Sequence, residues 1–183
     1  MANPPRELLF KTLDHSFQFI NLFVHSAAFS PDETLLCSAY DRTVLFWNIE
    51  SGKIVHTIPE QDEIGHVSFS PDGSFVCWTD AEKVCMWEVQ IGEVDPEGKK
   101  IKKFLGHTGS VRSVSFSPDG KLLCSGSTDN TVRLWNTETG ETVRTLNGHT
   151  DTVMSVLFSP DGDLVCSGGR DGLQLYKNST AME

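Results

Sequence analysis

The chain has 183 residues, a length suited to one domain or two small ones, and 15 Lys and Arg against 25 Asp and Glu give a formal net charge of −10. That balance argues against a nucleic-acid or anionic-membrane surface, since both need clustered Lys and Arg to meet phosphates. Hydrophobic content of 38%, with 11 Phe and 4 Trp, supports a packed core and excludes disorder as the main state.

No apolar run approaches the roughly 20 residues that span a bilayer. Residues Met1-Ala2-Asn3-Pro4-Pro5-Arg6-Glu7 also lack the basic-then-apolar pattern of a secretory signal. A soluble intracellular chain, cytoplasmic or nuclear, is expected. An internal repeat then organises everything else. Phe-Ser-Pro-Asp begins at Phe29, Phe69, Phe116 and Phe158, at spacings of 40, 47 and 42 residues. A cysteine follows each Phe by eight residues (Cys37, Cys77, Cys124, Cys166), and an aromatic closes each segment at Trp47, Trp87, Trp135 and Tyr176.

In chain order, residues 7–13 come first. Phe10-Lys11-Thr12-Leu13-Asp14-His15 parallels Val143-Arg144-Thr145-Leu146-Asn147-Gly148-His149, which predicts a strand here. Copy one (about 14–58) carries Asp41 and Trp47. Copy two (59–105) has Pro59-Glu60-Gln61 where copy three has a histidine, and either Asp80 or Glu82 could stand at its turn. Its longer connection, through Gly92-Glu93-Val94-Asp95-Pro96-Glu97, accounts for the 47-residue spacing and ends in the basic run Gly98-Lys99-Lys100-Ile101-Lys102-Lys103. That run reads as a solvated hairpin balanced by acids, or else as a docking element for an acidic partner.

Copy three (106–147) shows the unit most clearly. Val111, Val114 and Phe116 form a strand stopped by Ser117-Pro118-Asp119-Gly120, because Pro offers no donor and Gly accepts the positive φ of a tight turn. Leu122-Leu123-Cys124-Ser125, then Thr131-Val132-Arg133-Leu134-Trp135, then Glu141 to Leu146 supply three more strands. Copy four (148–177) ends soon after its third strand, so residues 7–13 are expected to provide its fourth. Sixteen strands in four antiparallel sheets predict an all-β propeller, one domain over 1–183. Interlocked ends would remove an exposed sheet edge.

Gly106-His107, Phe116-Ser117-Pro118-Asp119-Gly120, Ser125-Gly126-Ser127-Thr128-Asp129 and Leu134-Trp135-Asn136 together resemble the WD-repeat β-propeller family. The resemblance is specific in copies three and four and weaker in copies one and two. It implies that His107, Ser125 (or Ser127), Asp129 and Trp135 form a structural hydrogen-bond chain rather than a catalytic triad. The same holds for His149, Ser167 and Asp171, with Tyr176 in the place of the indole, and for Asp41 and Trp47 with His15 at best as the histidine. A set that recurs from copy to copy is unlike a catalytic set. Four of the five cysteines occupy one repeated slot and read as small buried apolar residues, with no disulfide, metal or cofactor implied. The sequon Asn178-Ser179-Thr180 matters only in a secreted chain.

Members of the resembled family usually have about seven blades. Four therefore leave several arrangements open: a four-bladed ring, two chains forming eight blades, a partner that donates blades, or a piece of a longer protein. Fold alone does not give function. In the resembled family, partners contact one face of the ring near the start of each first strand and just before the turn Asp. Mapped here, the first set is Phe23, His25, Glu63, Gly65, Ser110, Arg112, Thr152 and Met154, and the second Tyr40, Thr79, Thr128 and Arg170. Aromatic, Arg and Met side chains are favoured anchors, so Phe23, His25, Tyr40, Arg112, Met154 and Arg170 are the candidate contacts. The expectation is a non-enzymatic scaffold that binds a neutral or basic protein segment. A regulatory or substrate-recruiting subunit, such as that of a ubiquitin ligase, is the alternative. The Trp-Asp-x-Arg ending of such subunits is absent after Trp47, Trp87 and Trp135.

Overall fold

Each Phe-Ser-Pro-Asp segment ends one strand and turns the chain into the next through the same side-chain clamp. The serine hydroxyl donates to the aspartate two residues on: Ser30 to Asp32, Ser70 to Asp72 and Ser117 to Asp119 at 2.6 Å, and Ser159 to Asp161 at 2.5 Å. The same oxygen accepts the backbone N–H of Leu35, Phe75, Leu122 or Leu164 at 2.9 Å. Gly73, Gly120 and Gly162 follow with φ of 75°, 71° and 81°. In copy one Glu33 holds the equivalent left-handed conformation at 58°, where a Cβ is disfavoured.

A computed structural model describes residues 23–89 and 101–178. They form four antiparallel sheets, each with its strands side by side in chain order. The first holds β1 (Val24–Phe29), β2 (Leu35–Tyr40), β3 (Thr43–Asn48) and β4 (Lys53–Pro59). The second holds β5 (Ile64–Phe69), β6 (Phe75–Asp80), β7 (Lys83–Glu88) and β8 (Ile101–Phe104). The third holds β9 (Val111–Phe116), β10 (Leu122–Ser127), β11 (Val132–Asn136) and β12 (Thr142–Leu146). The fourth holds β13 (Val153–Phe158), β14 (Leu164–Gly169) and β15 (Gly172–Lys177). No helix among the described residues is long and apolar enough to cross a membrane.

Apolar residues alternate along these strands, and the core lies between sheets. Cys37, Val44 and Phe46 of the first sheet pack with Val67, Phe69 and Val76 of the second. Cys77, Val84 and Met86 pack with Val114, Phe116 and Leu123 of the third. Cys124, Val132 and Leu134 pack with Val156, Phe158 and Val165 of the fourth. Every junction thus joins the second and third strands of one sheet to the first two strands of the next. In the repeated cysteine slot Cys37, Cys77 and Cys124 are buried and Cys166 partly so, and burial pushes the thiol of Cys85, which lies outside that slot on β7, up to about 12.

The first strands touch in series, β1 on β5, β5 on β9 and β9 on β13, with no contact of similar extent from β13 back to β1. Among the described residues the series is therefore open, and closure of a single chain into a four-bladed ring, one of the arrangements the sequence leaves open, is not shown. The strand expected over residues 7–13 lies outside the described residues, as do His15 and residues 98–100 of the basic run. Of that run, Lys102 donates its ammonium to Thr137 O at 2.7 Å and also to Glu138 O, tying the second sheet to the turn after β11.

Candidate functional site

In the third sheet the four marked residues meet as one relay. Trp135 Nε1–H donates to Ser125 Oγ at 2.8 Å, Ser125 faces His107 Nε2 at 2.8 Å, and His107 Nδ1 faces Asp129 Oδ2 at 2.8 Å. Burial is the main influence on His107 and holds its pKa below 6.5, against the pull of Asp129. The ring is therefore neutral at pH 7, with Nδ1–H donating to the carboxylate and Nε2 accepting from the serine. Ser125 is fully buried and its oxygen already accepts the indole proton. Sealed in this way, the Asp-His-Ser array braces the Gly106–His107 segment and β11 against β10 through buried hydrogen bonds. Ser127 is not its member, since its hydroxyl donates to Gly109 O at 2.8 Å.

The fourth sheet repeats the relay without its last link. His149 bonds Asp171, and its Nε2 lies 2.7 Å from Ser167 Oγ. The Tyr176 hydroxyl is buried with no hydrogen-bond partner among the described residues, so the phenol does not replace the indole there. In the first sheet Trp47 Nε1–H donates to Ser38 Oγ at 2.8 Å, and Asp41 sits at the exposed β2–β3 turn with φ 40°. Ser38 escaped the sequence reading, although it lies nine residues after Phe29 as Ser125 does after Phe116.

The second sheet rewires the set. Glu60 fills the histidine slot and accepts Trp78 Nε1–H at 2.9 Å, while Trp78 fills the serine slot. Neither candidate for the turn aspartate takes the part of Asp129. Asp80 is fully buried and pairs with Lys83 Nζ at 2.7 Å, and Glu82 lies in a two-residue turn whose other member, Ala81, has φ 49°. Glu60, Asp80 and Cys85 bring their donor atoms within 4.8 Å of one another. The Lys83 ammonium takes Asp80 Oδ2, while Asp80 Oδ1 is buried with no hydrogen-bond partner among the described residues.

Three of the six candidate contacts, His25, Arg112 and Met154, meet elsewhere, on the face where the first strands begin. Backbone bonds fix this face: Ile64 N–H donates to Asp41 O at 2.6 Å and Val111 N–H to Ala81 O at 2.7 Å. A cavity of about 410 Å³ opens there, and His25, Glu63, Gly65, Ser110, Arg112 and Met154 from four successive sheets line it. Asp62, Ala81 and Val111 complete the wall; Asp62 and Ala81 lie beside positions singled out in the sequence but are not among the mapped contacts. His25 Nε2 lies 3.4 Å from Glu63 Oε1, while Arg112 is exposed and Met154 is 47% exposed. Phe23 is exposed, Tyr40 half-buried and Arg170 exposed, but none of these three lines the cavity. Thr79 is buried and accepts Gly65 N–H at 3.1 Å and His66 N–H at 3.0 Å, so it supports the face from beneath.

The braces give the fold an acid-sensitive set of groups. Burial works against ionisation of Asp129, but Thr131, Thr108 and His107 donate to it and bring it down to about 2. The Thr150 N–H, then His149, hold Asp171 at about 2. The serine clamps lower Asp32, Asp72, Asp119 and Asp161. A depressed folded pKa means that the unfolded chain binds more protons, so stability is present above the unfolded pKa and is lost as pH falls. For His107 and the similarly lowered His66 the loss begins below 6.5, and for the aspartates below 3.8. Glu60, raised by burial and then by Asp80, runs the other way. The urea midpoint should therefore fall in two stages, gently from pH 7 to 5 and steeply below about 4. A flat profile from pH 7 to 3 would refute this assignment.

The profile of the WD domain, G-beta repeat, family matches residues 10–48, 98–136 and 140–173, together more than half of the chain. No individual curated protein matches it.

Proposed function

The chain belongs to the WD-repeat family, whose repeats generally mediate protein–protein interaction, and on that premise we propose that it is a non-enzymatic scaffold binding a peptide segment at the cleft where the first strands begin. The observation that carries this reading is the convergence of His25, Glu63, Arg112 and Met154 from four sheets on one cavity of about 410 Å³. Met154 offers an adaptable apolar anchor and Arg112 a forked donor, both favoured at interface hot spots. Asp62 and Glu63 stand on the same wall, and the whole chain carries −10. A neutral or basic segment with one apolar side chain suits these groups, and its association should speed up at low salt.

Short peptides selected from a random display library on the immobilised chain should be rich in Lys, Arg and apolar residues. Arg112→Glu combined with Met154→Asp should weaken the selected peptides on the order of tenfold or more. Both side chains are exposed, so the thermal midpoint should stay nearly unchanged. Undiminished binding by the folded double variant would move the binding surface elsewhere.

A further inference from the structure

The two ends of the sheet series expose residues that every internal junction buries. Phe69, Phe116 and Phe158 are 9%, 7% and 8% exposed, yet Phe29, at the same position of the first sheet, is 65% exposed. Val44, Val84 and Val132 are all at 0%, but their counterpart Leu173 is at 77%; Phe46, Met86 and Leu134 are at 4% or below, but Leu175 is at 65%. Cys166 is only partly buried where Cys37, Cys77 and Cys124 are at 0%. These apolar residues follow the repeat, and among the described residues no sheet lies against them as one does at each internal junction. Contiguous exposed apolar faces of this kind mark interaction sites.

The three junctions inside the chain show what covers such a face. Each pairs a second-and-third-strand face with a first-strand face, and the chain carries one unpaired copy of each: β14–β15 at one end, β1 at the other. We propose that two copies of this chain join head to tail through these faces and close an eight-bladed ring. A contact between unlike faces closes only when its rotation completes a circle, and two four-sheet arcs that each turn through half a circle would close at eight blades, within the usual range for propellers. The junction detail carries over. Ser26 Oγ accepts Val67 N–H at 3.3 Å, and Ser113 Oγ accepts Val156 N–H at 3.2 Å. Ser155 stands at the equivalent position of β13, and the N–H it would accept is that of Ala27 in the second copy. Phe29, Leu173 and Leu175 do not line the cleft proposed to bind peptide, to which β1 contributes only His25, and the two interactions are tested by different variants.

The experiment is sedimentation equilibrium of the full chain over a concentration series. A species of two-chain mass is expected. One-chain mass at every concentration overturns the proposal and leaves residues 1–22 or sheets of another chain as the occupant, while larger or open-ended assemblies overturn the eight-bladed closure. Two variants test the faces. An added Cβ at Gly168 meets nothing nearer than Leu173 Cδ2 at 3.5 Å within one chain, whereas at the matching Gly126 it strikes Val153 of the next sheet at 2.6 Å. Gly168→Val should therefore keep its circular dichroism spectrum and lose pairing, as should Leu175→Asp. A two-chain mass retained by both variants would show that the pairing uses other surfaces.

Discussion

Ser125→Ala should cost the fold about 2–5 kcal/mol, and Ser167→Ala about half of that. Both hydroxyls are fully buried. Removing the first strands two groups, Trp135 Nε1–H and His107 Nε2, each bonded to it at 2.8 Å. Removing the second strands only His149 Nε2, because no indole completes that relay. An unsatisfied buried polar group costs about 1–3 kcal/mol, so the ratio follows from the number of partners lost. Tyr176→Phe is the control: its hydroxyl has no bond to lose, and its removal should be neutral or mildly stabilising. Urea unfolding of the three variants would measure these differences. Equal losses at Ser125 and Ser167 would mean that the indole bond adds nothing, and the relay would then be packing rather than a hydrogen-bond brace.

Most of the strand order was legible because local chemistry repeats with it. Phe, Pro and the closing aromatic mark a strand end, a turn and a third strand by steric rules that hold wherever the chain sits. The second sheet tests this. The family profile passes over its first three strands, where Glu60 and Trp78 stand in place of the histidine and serine, yet the main chain builds the same sheet. Hydrogen-bond identity changed there while the alternation of Val67, Phe69, Val76 and Val84 persisted, and alternation is what the sheet requires. The cleft was legible in part: six lining residues were named, while Tyr40 and Arg170 were named and stand apart from it. The open ends were not legible. Phe29 and Phe116 look alike in sequence, and only the presence or absence of a neighbouring sheet makes one exposed and the other buried.

Replacing Gly126 with Val should destabilise the chain by about 3 kcal/mol, at the upper end of the usual range for overpacking. A Cβ there would lie 2.6 Å from Val153 Cγ1, 2.8 Å from Val156 Cγ1 and 3.2 Å from Val153 Cβ. Val153 is fully buried and Val156 nearly so, and β-branched side chains have few other rotamers to take up, so the strain must pass into the spacing of the third and fourth sheets. The first sheet tolerates Ala39 at this position and the second Thr79, whose hydroxyl turns back to accept Gly65 and His66 N–H in its own sheet. The limit is thus set by the partner strand, and a change in that strand should relieve it. Gly126→Ala and Val153→Ala should each destabilise, but their combination should cost less than the sum by about 0.5–3 kcal/mol, the coupling expected of residues in direct contact. Strict additivity in a double-mutant cycle would show that β13 does not press on Gly126, and the packing between the third and fourth sheets would have to be redrawn.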